Sequence, residues 1–360
     1  MITIKLGKIR IKFRRRLIAP VKTIIITRIL AVLIALGLDS ILLLSYNINP
    51  CYAYYEIVRG SILSWYGITE VVVKFIPLAL CSYGLILVFK AGVWNIGSEG
   101  QLLLGAIAAT WIALFTPHLP ASLMLPAIYI IGFIAGALWA LIPAFLKVSL
   151  GVNEILTTFM LNLVAEKLLE YFVYGPWRGV HEWGFPQTSE FPPQAQLPYI
   201  SGTRIHYTTL LLAIFFGVLL YIIDRKTILG YEIRVIGNNL NSAKYAGINI
   251  WKVVLISMII SGGLSGIAGV GEVAGIQRRL KPRISPGYGY IAIVTTWLGN
   301  LNPIGVSLAT FFYSILLVGG DMLQVSLGLP AAIINIFNGS ILLVVAGIDI
   351  ITKYKILIER

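Results

Sequence analysis

Apolar runs recur along the chain at about 23–45, 71–90, 99–115, 123–146, 153–173, 207–223, 252–271, 290–300, 303–320 and 331–348. Most approach the roughly 20 residues that a helix needs to cross the hydrocarbon core of a bilayer. The pattern predicts an all-α integral membrane protein of about ten transmembrane helices. The eighth run is too short to span alone, so the prediction includes a broken or re-entrant element. The run Thr23–Leu44 exceeds the apolar part of a signal peptide, and no small-residue cleavage site follows it, so it reads as the first membrane helix.

Polar positions interrupt this pattern in three places. The stretch VWNIGSEGQLLLGA (Val93–Ala106) puts Asn95, Ser98, Glu99 and Gln101 among three glycines inside an apolar region. Gly97 and Gly100 can break a helix, and freed backbone at membrane depth is tolerated where it is buried in protein or lines a cavity. Two readings stand: a hinge between half-helices, and a lining of a translocation path by Trp94, Asn95, Glu99 and Gln101. In the second place, Glu154, Thr158, Asn162 and Glu166 recur every fourth residue, which draws one polar stripe along a helix. A span with such a stripe faces a bundle interior or a pore. Asn153 and Glu154 also suit a helix cap, and Glu166 and Glu170, near the outer interface, rank lower as functional groups. The third is RKTILGYEIRVIGNNLNSAKYAGINIWKVV (Arg225–Val254), with a short helix predicted over Asn241–Ala246 and stopped by Gly247. Such a helix fits a groove on a soluble partner, or is an ordinary solvated connector.

Composition makes the membrane reading firm. The 360 residues are 58% hydrophobic and only 12% charged, about half the charge of a soluble domain, and the mean hydropathy is +0.87. The net charge of +13 sits at helix ends and in loops, where topology explains it better than nucleic-acid binding does. Residues 1–22 hold eight Lys or Arg and no acid, which predicts a basic cytoplasmic N-terminal segment. The transmembrane domain then runs over 23–348 and a cytoplasmic tail over 349–360. An external loop is expected at about 174–206, and Tyr46–Glu70 is also expected outside. The loop at about 224–252, with five basic residues against two acids, reads as cytoplasmic. QRRLKPR (Gln277–Arg283) resists the scheme, because ten simple crossings place this basic segment outside. The pairs Gly132/Gly136, Gly262/Gly266 and Gly271/Gly275 have the spacing of close helix packing, expected here within the bundle.

No catalytic signature appears. There is no P-loop, HExxH, CxxC or GxSxG pattern, and neither Cys51 and Cys81 nor His118, His181 and His206 form a ligand cluster. No catalytic residue, cofactor or metal site is expected.

Five ordered segments together resemble the permease subunits of ABC importers. They are NIGSEGQLLLGA, GVNEILTTFMLNLVAEKLLEYFVYGPWR, LGYEIRVIGNNLNSAKYAGI with SGGLSGIAGVGEVAG, PGYGYIAIVTTWLGNLNPIGV, and LLVGGDMLQ. The likeness runs from about Ile68 to Gly347 and is greatest to the branch for simple sugars and nucleosides, related to the ribose and branched-chain amino-acid permeases. It implies a pore-forming subunit in the plasma membrane, both termini cytoplasmic, beside a cytoplasmic ATP-binding subunit that hydrolyses ATP. It also implies a second permease, copy or paralogue, and an extracellular substrate-binding lipoprotein. By this analogy Glu232, Arg234, Gly237, Asn241, Ala243, Lys244, Ala246 and Gly247 are the residues coupling to the ATPase, with Arg234 and Lys244 as rim charges. A bulky charge at Ala243 or Ala246 should then uncouple hydrolysis from uptake while the membrane domain stays folded. Trp94, Trp297 and Asn300 depart from the pattern expected of the branch. An ion-coupled secondary carrier, with Glu99 or Glu154 at a midplane ion site, is the rival reading.

Overall fold

The computed structural model describes residues 2–6, 9–15, 21–180, 184–330, part of 331–347, and 354–359. The chain divides into two compact units, Met1–Ser64 with Ile315–Arg360, and Trp65–Ser314.

The first unit holds α1 (Val21–Ser45) and α2 (Pro50–Ser61), bent against one another by 114° at a short break. Asn49 caps α2 by accepting the Cys51 N–H at 2.9 Å, and Pro50 suits the first helical position, where no donor is needed. Much of the region Tyr46–Glu70 is therefore helical. The termini add a feature the apolar pattern did not foresee. Three strands, β1 (Ile2–Leu6), β2 (Ile9–Arg15) and β3 (Tyr354–Glu359), pair antiparallel in the order β1-β2-β3. Residues 349–353 of the expected tail, and part of the run 331–348, lie outside the described residues.

The second unit is the helical core: α3 (Trp65–Lys90), α4 (Ser98–Phe115), α5 (Ala121–Leu150), α6 (Glu154–Tyr174), α7 (Tyr207–Lys226), α8 (Ile228–Asn238), α9 (Leu240–Tyr245), α10 (Ile250–Val270), α11 (Tyr288–Leu298) and the first half of α12 (Pro303–Leu327). Among the described residues six helices are long and apolar enough to cross a membrane, and a seventh if the bent pair is one span. This is a multi-pass membrane architecture, with fewer unambiguous spans than the ten apolar runs. α6 has the length, 21 residues, but carries Glu154, Glu166, Lys167 and Glu170.

Small residues decide how the core closes. Gly132 and Gly136 of α5 meet Gly262 and Gly266 of α10 backbone to backbone, and Gly105 of α4 meets Gly266 from another side. Without a hydrophobic drive between helices in lipid, such close approach supplies the packing energy. The two glycine pairs thus pack within the bundle, as their spacing predicted. Gly271 and Gly275 instead lie in a π-helical turn, Gly271–Gln277, against His206.

That turn frees carbonyls that the long loop then engages. Leu197 N–H donates to Ala274 O at 3.0 Å, the Tyr199 hydroxyl donates to Gly275 O, and the Arg278 guanidinium lies 4.8 Å from the Tyr199 ring centre. Thr188 N–H and Phe191 N–H donate to Leu280 O and Arg278 O. Gln277–Arg283 therefore sits at the same end of the core as the loop 174–206, away from α8 and α9. Of that loop, residues 181–183 lie outside those described.

Candidate functional site

The polar stretch at 93–101 is a break in the bundle. α3 ends at Lys90, the chain runs outside any helix through Val93–Ile96, and α4 begins only at Ser98. Its freed backbone is met by the stripe on α6, step for step. Glu154 Oε1 accepts Trp94 N–H at 3.3 Å, Thr158 Oγ1 accepts Ile96 N–H at 3.2 Å, and Asn162 accepts Gly100 N–H and donates to Ile96 O, both at 2.9 Å. The match is geometric: four helical residues advance about 6 Å, close to the roughly 6.6 Å of two extended ones. On the opposite side α10 supplies Ser261 to Asn95 at 3.0 Å and Ser265 to Ser98 at 2.7 Å. Asn95 and Gln101 bond reciprocally through their amides at 3.1 Å.

Asn95, Gln101, Thr158 and Asn162 are thus buried and engaged with one another and with backbone. Asn162→Leu should strand Gly100 N–H and Ile96 C=O, a cost on the order of 3 kcal/mol for two buried groups. Thermal unfolding in detergent checks this; an unchanged midpoint would show that the break is satisfied some other way.

Glu154 pairs with Lys147 at 2.5 Å, and Asn153, not Glu154, caps α6 by accepting Ile155 N–H. Glu99 faces the other way, toward α11. The chain returns through Arg278–Gly287 from the loop end, turns at Gly287 (φ +93°), and starts α11 against the backbone of Glu99. Glu99 Oε2 accepts Gly289 N–H at 2.7 Å. A carboxylate at a helix N-terminus meets free N–H groups and the positive end of the helix dipole. The eighth apolar run is accordingly a short apolar helix, 11 residues long. α11 ends beside Trp94.

Between α4, α6 and the Pro282–Tyr290 segment lies a cavity of about 210 Å³, lined by Glu99, Asn162, Glu166, Glu170, Arg283, Ser285 and Tyr290 with apolar neighbours. Glu166 and Glu170, ranked low from the sequence, face it together with Glu99. Arg283, Ser285 and Tyr290 went unmarked, although PRISPGYGY shows a breaker-rich entry to a short apolar helix. Ser261 and Ser265 were also legible, four residues apart in SGGLSG. Among the described residues no group of three or more His, Cys, Asp or Glu could hold a metal.

The two unusual tryptophans meet. Trp94 and Trp297 stack at 5.5 Å and 24°, and Phe89 completes the cluster at 5.4 and 5.7 Å. Trp94 keeps 41% of its surface exposed. Asn300 has φ +55° in the turn joining α11 to α12, a conformation that Asn tolerates better than most residues.

At the same end α8 and α9 form a corner. Asp224, buried at the end of α7, takes Lys90 at 2.6 Å, Arg234 at 3.4 Å and Arg225 at 3.7 Å. Gly237 lies directly on the Lys90 carbonyl. Arg234, partly exposed, thus reaches back to the buried Asp224. Asn239 caps α9 through Asn241 N–H and Ser242 N–H, so the short helix is Leu240–Tyr245 and not Asn241–Ala246. Gly247 ends it at φ +71°. Ala243 is fully buried, whereas Asn241, Lys244, Ala246 and Gly247 are exposed and Glu232 is partly so. A bulky charge at Ala243 would unseat α9 itself, so only Ala246 suits the uncoupling test as first framed.

The family described as the branched-chain amino acid transport system / permease component matches residues 67–346. The chain belongs to this permease family. It is a pore-forming permease subunit of an ABC importer. It is 36% identical to the glucose ABC transporter permease protein TsgB13 of Haloferax volcanii, over 92% of this chain and 89% of that one. The nucleoside ABC transporter permease protein NupB of Lactococcus lactis is 29% identical over 89% and 90%. The guanosine ABC transporter permease protein NupP of Bacillus subtilis is 28% identical over 89% and 92%.

Proposed function

We propose that this permease carries a nucleoside or a simple sugar inward by alternating access, with about ten membrane segments and both termini cytoplasmic. α8 and α9 are then the cytoplasmic coupling element, docking on an ATP-binding subunit. The end bearing 174–206 and Gln277–Arg283 faces an extracellular binding lipoprotein, and a second permease completes the pore. In this reading the break at 93–101 flanks the path, and Trp94 with its exposed face closes the inner end.

The observation that carries the proposal is the α8–α9 corner: a short helix anchored through buried Asp224, presenting Tyr245 at 95% exposure beside exposed Leu240. Exposed aromatic anchors on rigid supports are what docking grooves engage. Coupling runs from α9 through α8 and the Asp224–Lys90 pair to α3 and the break that follows it. Against the ion-coupled carrier stand the occupied acids: Glu99 holds the α11 N-terminus and Glu154 holds Lys147.

The test is uptake of guanosine and of glucose by proteoliposomes holding the permease pair, the ATPase and the binding protein. ATP should drive one of the two, and Tyr245→Ala should lower uptake and ATPase association by about tenfold or more, an effect of at least ~1.4 kcal/mol. Uptake driven by an ion gradient with this chain alone would overturn the importer reading. Normal coupling in Tyr245→Ala would overturn the docking assignment.

A further inference from the structure

We propose that the cavity between α4, α6 and the α11 entry is a transit site for the hydroxyl-bearing ring of a neutral sugar, free or as the ribose of a nucleoside. The inference rests on the importer reading above and adds to it where the cargo is held and what charge it carries.

The first argument is size. The space of about 210 Å³, the scale of one sugar ring, lies below the roughly 300–1,000 Å³ of pockets for drug-sized ligands. The second is the chemistry of the wall. Glu99 and Glu166 contribute carboxylates, which only accept, and Arg283 a guanidinium, which only donates. Tyr290 contributes a hydroxyl whose oxygen accepts from the Asn162 amide at 3.1 Å and whose proton remains to be donated, while the Ser285 oxygen already accepts Gly287 N–H and Tyr288 N–H at 3.0 and 3.1 Å. A ring bearing several hydroxyls satisfies all of these at once, while Leu103 and Leu169 offer an apolar surface to its C–H face.

The third argument is the fixed placement of the acids. Glu99 is buried and held by Gly289 N–H at 2.7 Å. Glu166 follows Asn162 by four residues and so shares its face of α6, and Asn162 is itself held at Ile96, Gly100 and the Tyr290 hydroxyl. Glu170 shares its charge with Lys167 at 2.7 Å. Among the described residues no group of three or more His, Cys, Asp or Glu is placed to hold a metal. One guanidinium against these acids leaves the site net acidic, so a phosphate group is repelled. Hydroxyl contacts without a full cage bind weakly, which suits a site that must release its cargo onward.

The experiment uses the complete permease–ATPase assembly in lipid nanodiscs, without the binding protein. Labelled glucose and guanosine are the probes, with glucose 6-phosphate as competitor, and uptake is measured in parallel in proteoliposomes. Wild type should bind one neutral probe weakly and ignore the phosphate ester. Glu166→Gln, which removes charge but no hydrogen bond seen within the fold, should weaken that binding at least fivefold while ATP hydrolysis persists. Ser285→Ala should give a smaller loss, and Leu138→Ala, on an exposed face of α5, none. Unchanged binding in Glu166→Gln with ATP-driven uptake intact would overturn the transit site and leave the importer reading standing. So would equal competition by glucose 6-phosphate, or calcium binding that Glu166→Gln abolishes while sugar binding stays. Absence of ATP-driven uptake in wild type would overturn the importer reading, and the site with it.

Discussion

Gly266→Leu is expected to yield no folded permease. Three helices meet at this residue: its Cβ would enter the Gly132 carbonyl of α5 and lie 3.3 Å from Gly136 Cα, while Gly105 of α4 closes the remaining side. Those neighbours are backbone, so no rotamer change makes room, and the helices must separate. Overpacking a core commonly costs about 1–3 kcal/mol. Here three backbones move together, which places the loss above the ~4 kcal/mol that single substitutions rarely reach. The same substitution at Gly37 of α1, where a Cβ meets nothing within 4 Å, is the matched control. Size-exclusion chromatography and thermal unfolding in detergent read both variants. A monodisperse Gly266→Leu protein melting with wild type would show that α4, α5 and α10 do not converge as described.

Much of this architecture was legible in the sequence because lipid removes alternatives. Helix boundaries fell near the apolar runs, as at Ser98–Phe115 and Tyr207–Lys226, since unpaired backbone is too costly at membrane depth. The glycine pairs named their own contact. Reading polarity as function was less secure. Asn95, Gln101, Thr158 and Asn162 looked like a path lining, and their geometry gives them a second task, holding a broken backbone. The stripe on α6 showed that something polar lay opposite, but not that it was the main chain of residues 94–100. Long-range partners were hidden for the same reason: Gly289 lies 190 positions from Glu99, and no local periodicity links them. The basic segment Gln277–Arg283 stayed undecided because charge rules and the count of crossings pulled apart, and its packing on the loop 174–206 is a long-range contact. Tyr245 was passed over in favour of small neighbours, since a sequence does not show which side of a six-residue helix faces out.

Asp224→Asn should separate hydrolysis from transport. Asp224 is the single acid joining Lys90 of α3, Arg225 of α7 and Arg234 of α8, and it is 2% exposed. Its carboxylate sits at the C-terminal end of α7, where the helix dipole disfavours it, and three cations surround it. Asparagine keeps the shape but removes the charge, leaving Lys90, half-buried in the last turn of α3, without its counter-ion. Removing one member of a buried pair typically costs about 3–5 kcal/mol. Because Asp224 also holds Arg234 of α8, the loss falls on the transmission of motion and not on the α4–α5–α10 packing. The expected result is a folded variant whose ATPase partner still hydrolyses ATP while uptake drops at least tenfold. Replacing the pair by Lys90→Met with Asp224→Leu removes both charges, and a buried ion pair exchanged for packed apolar groups is often neutral or stabilising. That double variant should regain thermal stability, yet regain uptake only as far as rigid contact between α3 and α8 suffices for coupling. Full coupling in Asp224→Asn would mean that α8 moves the core by some contact other than this one, with Gly237 against the Lys90 carbonyl as the remaining bearing.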